Sequence, residues 1–391
     1  MDERFRRLFD EGVERRHGDS YKWDTSMPDD VLPLWVADMD FATAPVVQEA
    51  LRHRVEQGAF GYVKVPDAYY DALISWFSRR HGWDIARESV LYTSGVVPAL
   101  SAVIKALAVP GDKVIVQTPV YNCFFSSIRN NGCEVLENPL RFTGDSYEMD
   151  FDDLAAKAAD PRARLLLLCN PANPAGRVWT RDELMELVRI CRHNNVTVVT
   201  DEIHCELVYP PYRYTPFGSL PAEFSQRAVV CLSPSKAFNT AGLQNAVIVA
   251  PDADMRRRID KAININEVCD VNPFGVAALI AAYNEGGPWL DALVEYLKGN
   301  YDMMSAFCRE HFPQLPVCRL EGTYLVWMDC RALGKPSAEI EEELLAAEGL
   351  WLNAGAMYGD DGFLRWNIAC PRVRLQEALR RFAKFVANKT D

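Results

Sequence analysis

The run Arg164-Leu-Leu-Leu-Leu-Cys169, the turn Asn170-Pro171-Ala172-Asn173-Pro174-Ala175-Gly176, the string Thr180-Arg181-Asp182-Glu183 and the run Val196-Thr-Val-Val-Thr200 decide the fold. A short, continuous apolar run is what a strand covered on both faces requires. Pro, Asn and Gly then punctuate the chain. Thr180 with Glu183 three residues on has the spacing of a capping box, and so opens a helix. Leu184, Leu187, Val188 and Cys191 come next at helical spacing and predict one buried face. The next apolar run closes a strand–helix–strand unit, which implies parallel pairing. Lys113–Gln117 and Ala228–Leu232 have the same character. The middle of the chain therefore reads as α/β, with a mostly parallel central sheet flanked by helices.

The flanks differ. Residues 1–50 read as irregular and are rich in Pro, Asp and Trp. After Pro288 come long amphipathic helices and shorter strands, at Thr323–Met328 and Phe363–Ile368. The expectation is a large domain over 51–288 and a smaller α+β domain from 1–50 plus 289–391. A chain of 391 residues exceeds one simple core.

Composition narrows the function. Hydrophobic residues at 49% and charged residues at 25% suit a soluble globular protein. A formal charge of −12 argues against non-specific nucleic-acid binding, which relies on excess Lys and Arg. Eleven scattered cysteines without a Cys-x-x-Cys pair argue against a disulfide framework and a zinc site, so no metal is expected. They read as buried thiols in a reducing cytoplasm. Met1-Asp2-Glu3-Arg4 is too charged for a signal peptide, and no apolar run is long enough to span a bilayer. The longest, near Phe274–Tyr283, reads as a buried helix.

The residues just after each strand carry the chemistry. The strands lead in turn to Tyr121, Asn173, Asp201-Glu202-Ile203-His204 and Ser233-Pro234-Ser235-Lys236. Open α/β sheets bind ligands at the carboxyl ends of their strands. An aromatic ring, an amide, a carboxylate, two hydroxyls and a lysine thus meet at one edge. That inventory suits a flat, phosphorylated, electron-poor ring joined to an amine, which is pyridoxal 5′-phosphate (PLP). Lys236 would form the Schiff base, with its pKa lowered from about 10.4 toward about 7–8. Asp201 would pair with the pyridine nitrogen and keep the ring an electron sink; a helix cap or surface carboxylate is the plain alternative. Tyr121 would stack on the ring, or is a core tyrosine. Asn173 would donate to the phenolic oxygen and also serve the turn. Ser233 and Ser235 would hold the phosphate with Gly95, Val96 and Val97, where Thr93-Ser94-Gly95 opens a helix through Ala99, Val103 and Ala106.

In this order, Gly95-Val96-Val97, Tyr121, Asn173-Pro-x-Gly, Asp201, Ser233-x-Ser235-Lys236 and a late Arg365 resemble the fold-type I PLP enzymes of the aspartate aminotransferase superfamily. The likeness spans nearly the whole chain. Several strings are similar to the MalY/PatB-type cystathionine β-lyases: Trp35-Val-Ala-Asp38-Met39-Asp40-Phe41, Phe60-Gly61-Tyr62, Asp201-Glu-Ile-His204, Ser235-Lys236-Ala-Phe238-Asn239 and Arg365-Trp-Asn-Ile-Ala-Cys-Pro371. The resemblance implies that Arg365 clamps the substrate α-carboxylate. It implies a homodimer in which Tyr62 reaches the neighbouring subunit's cofactor phosphate and substrate. It places His204 near the phenolic oxygen, with a satisfied structural histidine as the alternative. Tyr21, Trp35, Asp38, Met39 and Tyr324 are expected around the substrate. Gln244 stands eight residues after Lys236, where aminotransferases carry a phosphate-binding arginine, and this favours a lyase. The implied reaction is α,β-elimination of L-cystathionine or a related cysteine S-conjugate to pyruvate, ammonia and a thiol. An aminotransferase on the same fold, and a non-catalytic regulator, are the competing readings.

Overall fold

The computed structural model describes residues 2–24, 28–265 and 271–390. Its centre is a seven-stranded sheet of β1 (Val90–Thr93), β2 (Lys113–Val116), β3 (Glu134–Glu137), β4 (Ala163–Cys169), β5 (Thr197–Asp201), β6 (Val229–Leu232) and β7 (Ala246–Val249). The spatial order is β1-β7-β6-β5-β4-β2-β3. All pairs are parallel except those of β7, which runs antiparallel to both β1 and β6. No helix long enough to carry the chain across the sheet separates β6 from β7. The chain therefore turns back alongside β6.

Strand β4 shows why the sheet is stable. Leu165 to Leu168 are at most 1% exposed, and alternate residues join different cores. Leu166 and Leu168 pack with Leu184, Leu187 and Val188 of the helix Arg181–His193; Leu165 and Leu167 pack with Ala99, Leu100 and Val103 of the helix Val96–Leu107. Each such leucine contributes roughly 1.5–3 kcal/mol of burial. The capping box forms as expected: Glu183 N–H donates to Thr180 Oγ1 at 3.3 Å, and Thr180 N–H donates to Glu183 Oε2 at 2.8 Å. The apolar run near Phe274 lies in the buried helix Pro273–Glu285.

A second, antiparallel sheet has the order β8-β10-β9, with β8 (Leu325–Asp329), β9 (Asn353–Ala354) and β10 (Phe363–Asn367). One expectation needs correction: residues 1–50 are not irregular throughout. Glu3–Glu11 is a helix capped by Asp2, and Pro45–Glu56 begins another. The first is heavily charged on one side, and its other side carries half-buried Phe5 and Leu8 beside the main anchor, Phe9. Its Phe9 is fully buried against Phe41, Trp289 and Tyr296. Leu32–Pro33 pairs in parallel with Leu350–Trp351, joining the two ends of the chain.

Candidate active site

The carboxyl ends of β4, β5 and β6 and the amino end of the helix Val96–Leu107 surround a cavity of about 190 Å3. Of the expected residues, Gly95, Val96, Val97, Tyr121, Asn173, Asp201, His204, Ser233, Ser235, Lys236 and Gln244 line it. The helix has no side-chain cap, so its first N–H groups are open toward the cavity. Gly95 is extended, with φ of 171°, so no backbone strain selects glycine there.

Lys236 Nζ donates to the Ala37 carbonyl at 2.6 Å. Burial, then the charge of Arg365, lowers its pKa to about 8, against the opposing pull of Asp38 and Asp201. Asp201 accepts from Ile203 N–H at 3.0 Å. Among the described residues it has no ion-pair partner, and burial pushes its pKa up to about 6. A buried carboxylate in that position lacks a cation. His204 is buried and held neutral by burial and by the charges of Lys236 and Arg365, and its Nδ1 has no partner. Ser233 Oγ lies 2.7 Å from the Asn245 carbonyl and 2.9 Å from Ser235 Oγ. With the Ser233 proton on Asn245, Ser235 is the freer hydroxyl.

Arg365 sits on β10 and is 3% exposed. Its Nη1 donates to Asn173 Oδ1 at 3.1 Å, its Nη2 to the Trp35 carbonyl at 2.7 Å, and its Nε to nothing. The guanidinium lies 4.7 Å from the centroid of the Tyr358 ring. Among the described residues no carboxylate pairs with it. Accepting from Arg365 leaves the Asn173 amide N–H groups free to face the cavity. The donor set fits PLP: an uncapped helix end and hydroxyls for phosphate, an unpaired carboxylate for a ring N–H, and an unpaired guanidinium for a carboxylate.

Seven expected residues do not line the cavity: Tyr21, Trp35, Asp38, Met39, Tyr62, Tyr324 and Arg365. Tyr62 is 94% exposed and does not line its own chain's cavity. Asp38 directs Oδ2 to Arg15 at 2.7 Å and leaves Oδ1 without a hydrogen bond. Sequence reasoning missed Ala37, Cys169 and Asn245 in the lining. Only the string around Trp35 hinted at the first.

The chain matches the family model for aminotransferase class I and II over residues 29–382. The chain belongs to that family. In the aminotransferase class I and II family it resembles "Cystathionine beta-lyase PatB" of Bacillus subtilis, with 40% identity over 95% of this chain and 98% of that one. Cystalysin from Treponema denticola, a structure with a pyridoxal 5′-phosphate cofactor, superposes with a TM-score of 0.93 at 32% identity, covering 96% of this chain and 98% of that one. A PLP-bound C–S lyase from Staphylococcus hominis gives 0.90 at 29% identity, covering 96% and 97%.

Behind Asp201, Glu202 is buried and meets Tyr214 Oη, Thr200 Oγ1 and Phe217 N–H. Burial pushes its pKa up to about 8 from 4.5. The folded state thus keeps a proton that the unfolded chain has lost. This contribution to stability is complete below pH 4.5 and is lost as pH rises to about 8. Glu202→Gln is expected to fold normally and to flatten that part of the melting temperature–pH curve. An unchanged slope would place the proton elsewhere.

Proposed function

We propose that the chain is a PLP-dependent carbon–sulfur β-lyase acting on L-cystathionine or a related cysteine S-conjugate. The observation that carries this reading is the amine of Lys236 in one cavity with an unpaired buried carboxylate, Asp201, and close enough to an unpaired buried guanidinium, Arg365, on the cavity residue Asn173, to feel its charge. The relatives' names and the glutamine at position 244 support elimination over amino transfer.

When bound, PLP supplies a carbonyl that condenses with amines and a pyridinium ring that takes up carbanion charge. Ionised Asp201 would hold the proton on the ring nitrogen. Asn173 and neutral His204 would serve the phenolic oxygen, and Tyr121 the ring face. Ser235, with Ser233 and Gly95, Val96 and Val97, would receive the phosphate. Arg365 receives the substrate carboxylate in a two-pronged contact. Lys236 removes the Cα proton, a step contributing about 10²–10⁴-fold. The electron pair left at Cα expels the thiolate from Cβ, and water releases pyruvate and ammonia.

We assign 51–288 to the cofactor-binding domain and 1–50 with 289–391 to the smaller one. The working unit in this reading is a homodimer, in which exposed Tyr62 serves the site of the second copy. Among the described residues no helix is long and apolar enough to cross a membrane. Among the described residues ten cysteines are free thiols, nine of them buried, which supports a reducing cytoplasm.

The test is PLP-loaded protein with L-cystathionine and no keto acid. Equal amounts of pyruvate and thiol are expected. Amino transfer appearing only after a keto acid is added, with no pyruvate before it, would make this an aminotransferase.

A further inference from the structure

The segment Trp35–Phe41 lines the cavity with Ala37 and has no main-chain partner strand, yet each of its carbonyls accepts a hydrogen bond. Most donors are side chains, and several belong to the site. Arg365 holds the Trp35 carbonyl and Asn367 the Val36 and Asp38 carbonyls. The Ala37 carbonyl receives Lys236 Nζ at 2.6 Å and Tyr324 Oη at 3.0 Å.

Asn239 lies three residues after Lys236 on the same turn. Its amide reads the strap as a neighbouring strand would. Oδ1 accepts from Met39 N–H at 3.0 Å, and Nδ2 faces the Met39 and Phe41 carbonyls at 3.0 and 2.9 Å. To do so the residue takes a left-handed backbone, with φ of 53°. Asparagine tolerates that conformation better than most residues, but it is uncommon outside glycine. A side chain that bridges the lysine turn to the strap fixes the distance between Lys236 and the Ala37 carbonyl.

We infer that Asn239 is a positioning residue for proton transfer: by latching the strap it sets the Ala37 carbonyl as the acceptor that orients the free amine of Lys236. A neutral amine has two N–H bonds and one lone pair. One N–H donated to Ala37 removes its free rotation and aims the lone pair into the cavity. In the transfer the Cα–H bond breaks, the lone pair forms a third N–H bond, and the electron pair stays with carbon. The ammonium then donates to Ala37 more strongly than the amine did. Asn239 itself touches neither substrate nor cofactor; it acts through the strap.

The inference rests on the lyase reading for its assay but not for its second readout. Asn239→Gly keeps the left-handed backbone at no steric cost and deletes the latch. With L-cystathionine, kcat is expected to fall about tenfold or more, the scale set by small misplacements of reacting groups. KM should stay within about twofold, and the isotope effect with Cα-deuterated substrate should rise as proton transfer becomes slower. In cofactor-free protein, amide hydrogen exchange at Met39 should accelerate while the strands of the large sheet keep their protection. Accelerated exchange with unchanged kcat and isotope effect would overturn the role in proton transfer. Unchanged exchange would overturn the latch itself. Wild-type protein giving no pyruvate would sink the lyase reading and leave the exchange result standing. If the glycine variant fails to fold, Asn239→Asp keeps the acceptor for Met39 without the donors. A wild-type kcat and isotope effect in that variant would equally overturn the inference.

Discussion

Lys236→Ala is expected to stop pyruvate and thiol release, by at least about 10³-fold, while the protein stays folded. The general-base contribution alone is about 10²–10⁴-fold, and in the proposed reading the same amine anchors the cofactor. The fold should not suffer, because the amine is unfavourably placed as a cation: its pKa is lowered to about 8. Between pH 8 and 10.5 the unfolded chain holds a proton that the folded chain has released. Cofactor-free wild type therefore gains stability as pH rises through that window. The alanine variant should lack the gain. Circular dichroism melts across the window and a coupled pyruvate assay measure both. Turnover near the wild-type rate would remove Lys236 from the mechanism.

Arg365→Ala comes next in size. Two charge-assisted hydrogen bonds to a carboxylate are worth about 1.5–3 kcal/mol each, so kcat/KM should fall about 10²–10⁴-fold, chiefly through KM. Arg365→Lys should recover little, since an ammonium cannot reproduce the planar fork. Stability should move less than burial suggests. In the free protein the guanidinium meets only neutral acceptors, Asn173 Oδ1 and the Trp35 carbonyl, and its Nε meets none. An unchanged KM for L-cystathionine would remove the carboxylate clamp.

The range of the forces involved decides how far the sequence could be read. The apolar run of β4 and the capping box of Thr180 and Glu183 are local signals, and both appear where expected. So do the residues that end each strand, because a parallel sheet delivers its carboxyl ends to one edge. Strands β1, β3 and β7 were not legible. β3 is charged at both ends and not fully buried, and no helix long enough to span the sheet separates β7 from β6, so the signals that revealed the others are missing. The helix Glu3–Glu11 hid behind its charges, although Phe5, Leu8 and Phe9 stand at helical spacing and share its buried side. The strap was least legible. Asn239 and Met39 are 200 positions apart, and nothing in either neighbourhood announces a hydrogen bond between them.

The reversed direction of β7 sets the width of the cofactor site. Because β7 lies between β1 and β6, the turn leading to Val96 and the turn carrying Ser233 and Lys236 are two ladder spacings apart, roughly 9–10 Å. Both leave the sheet at the same end, since each pairs antiparallel with the strand between them. The intervening strand contributes only its starting residues, Gln244 and Asn245, to that end. The result is a slot with a helix terminus on one wall, a lysine turn on the other and a polar sill below. Removing that strand would narrow the slot by about 5 Å and take Gln244 and Asn245 out of its lining.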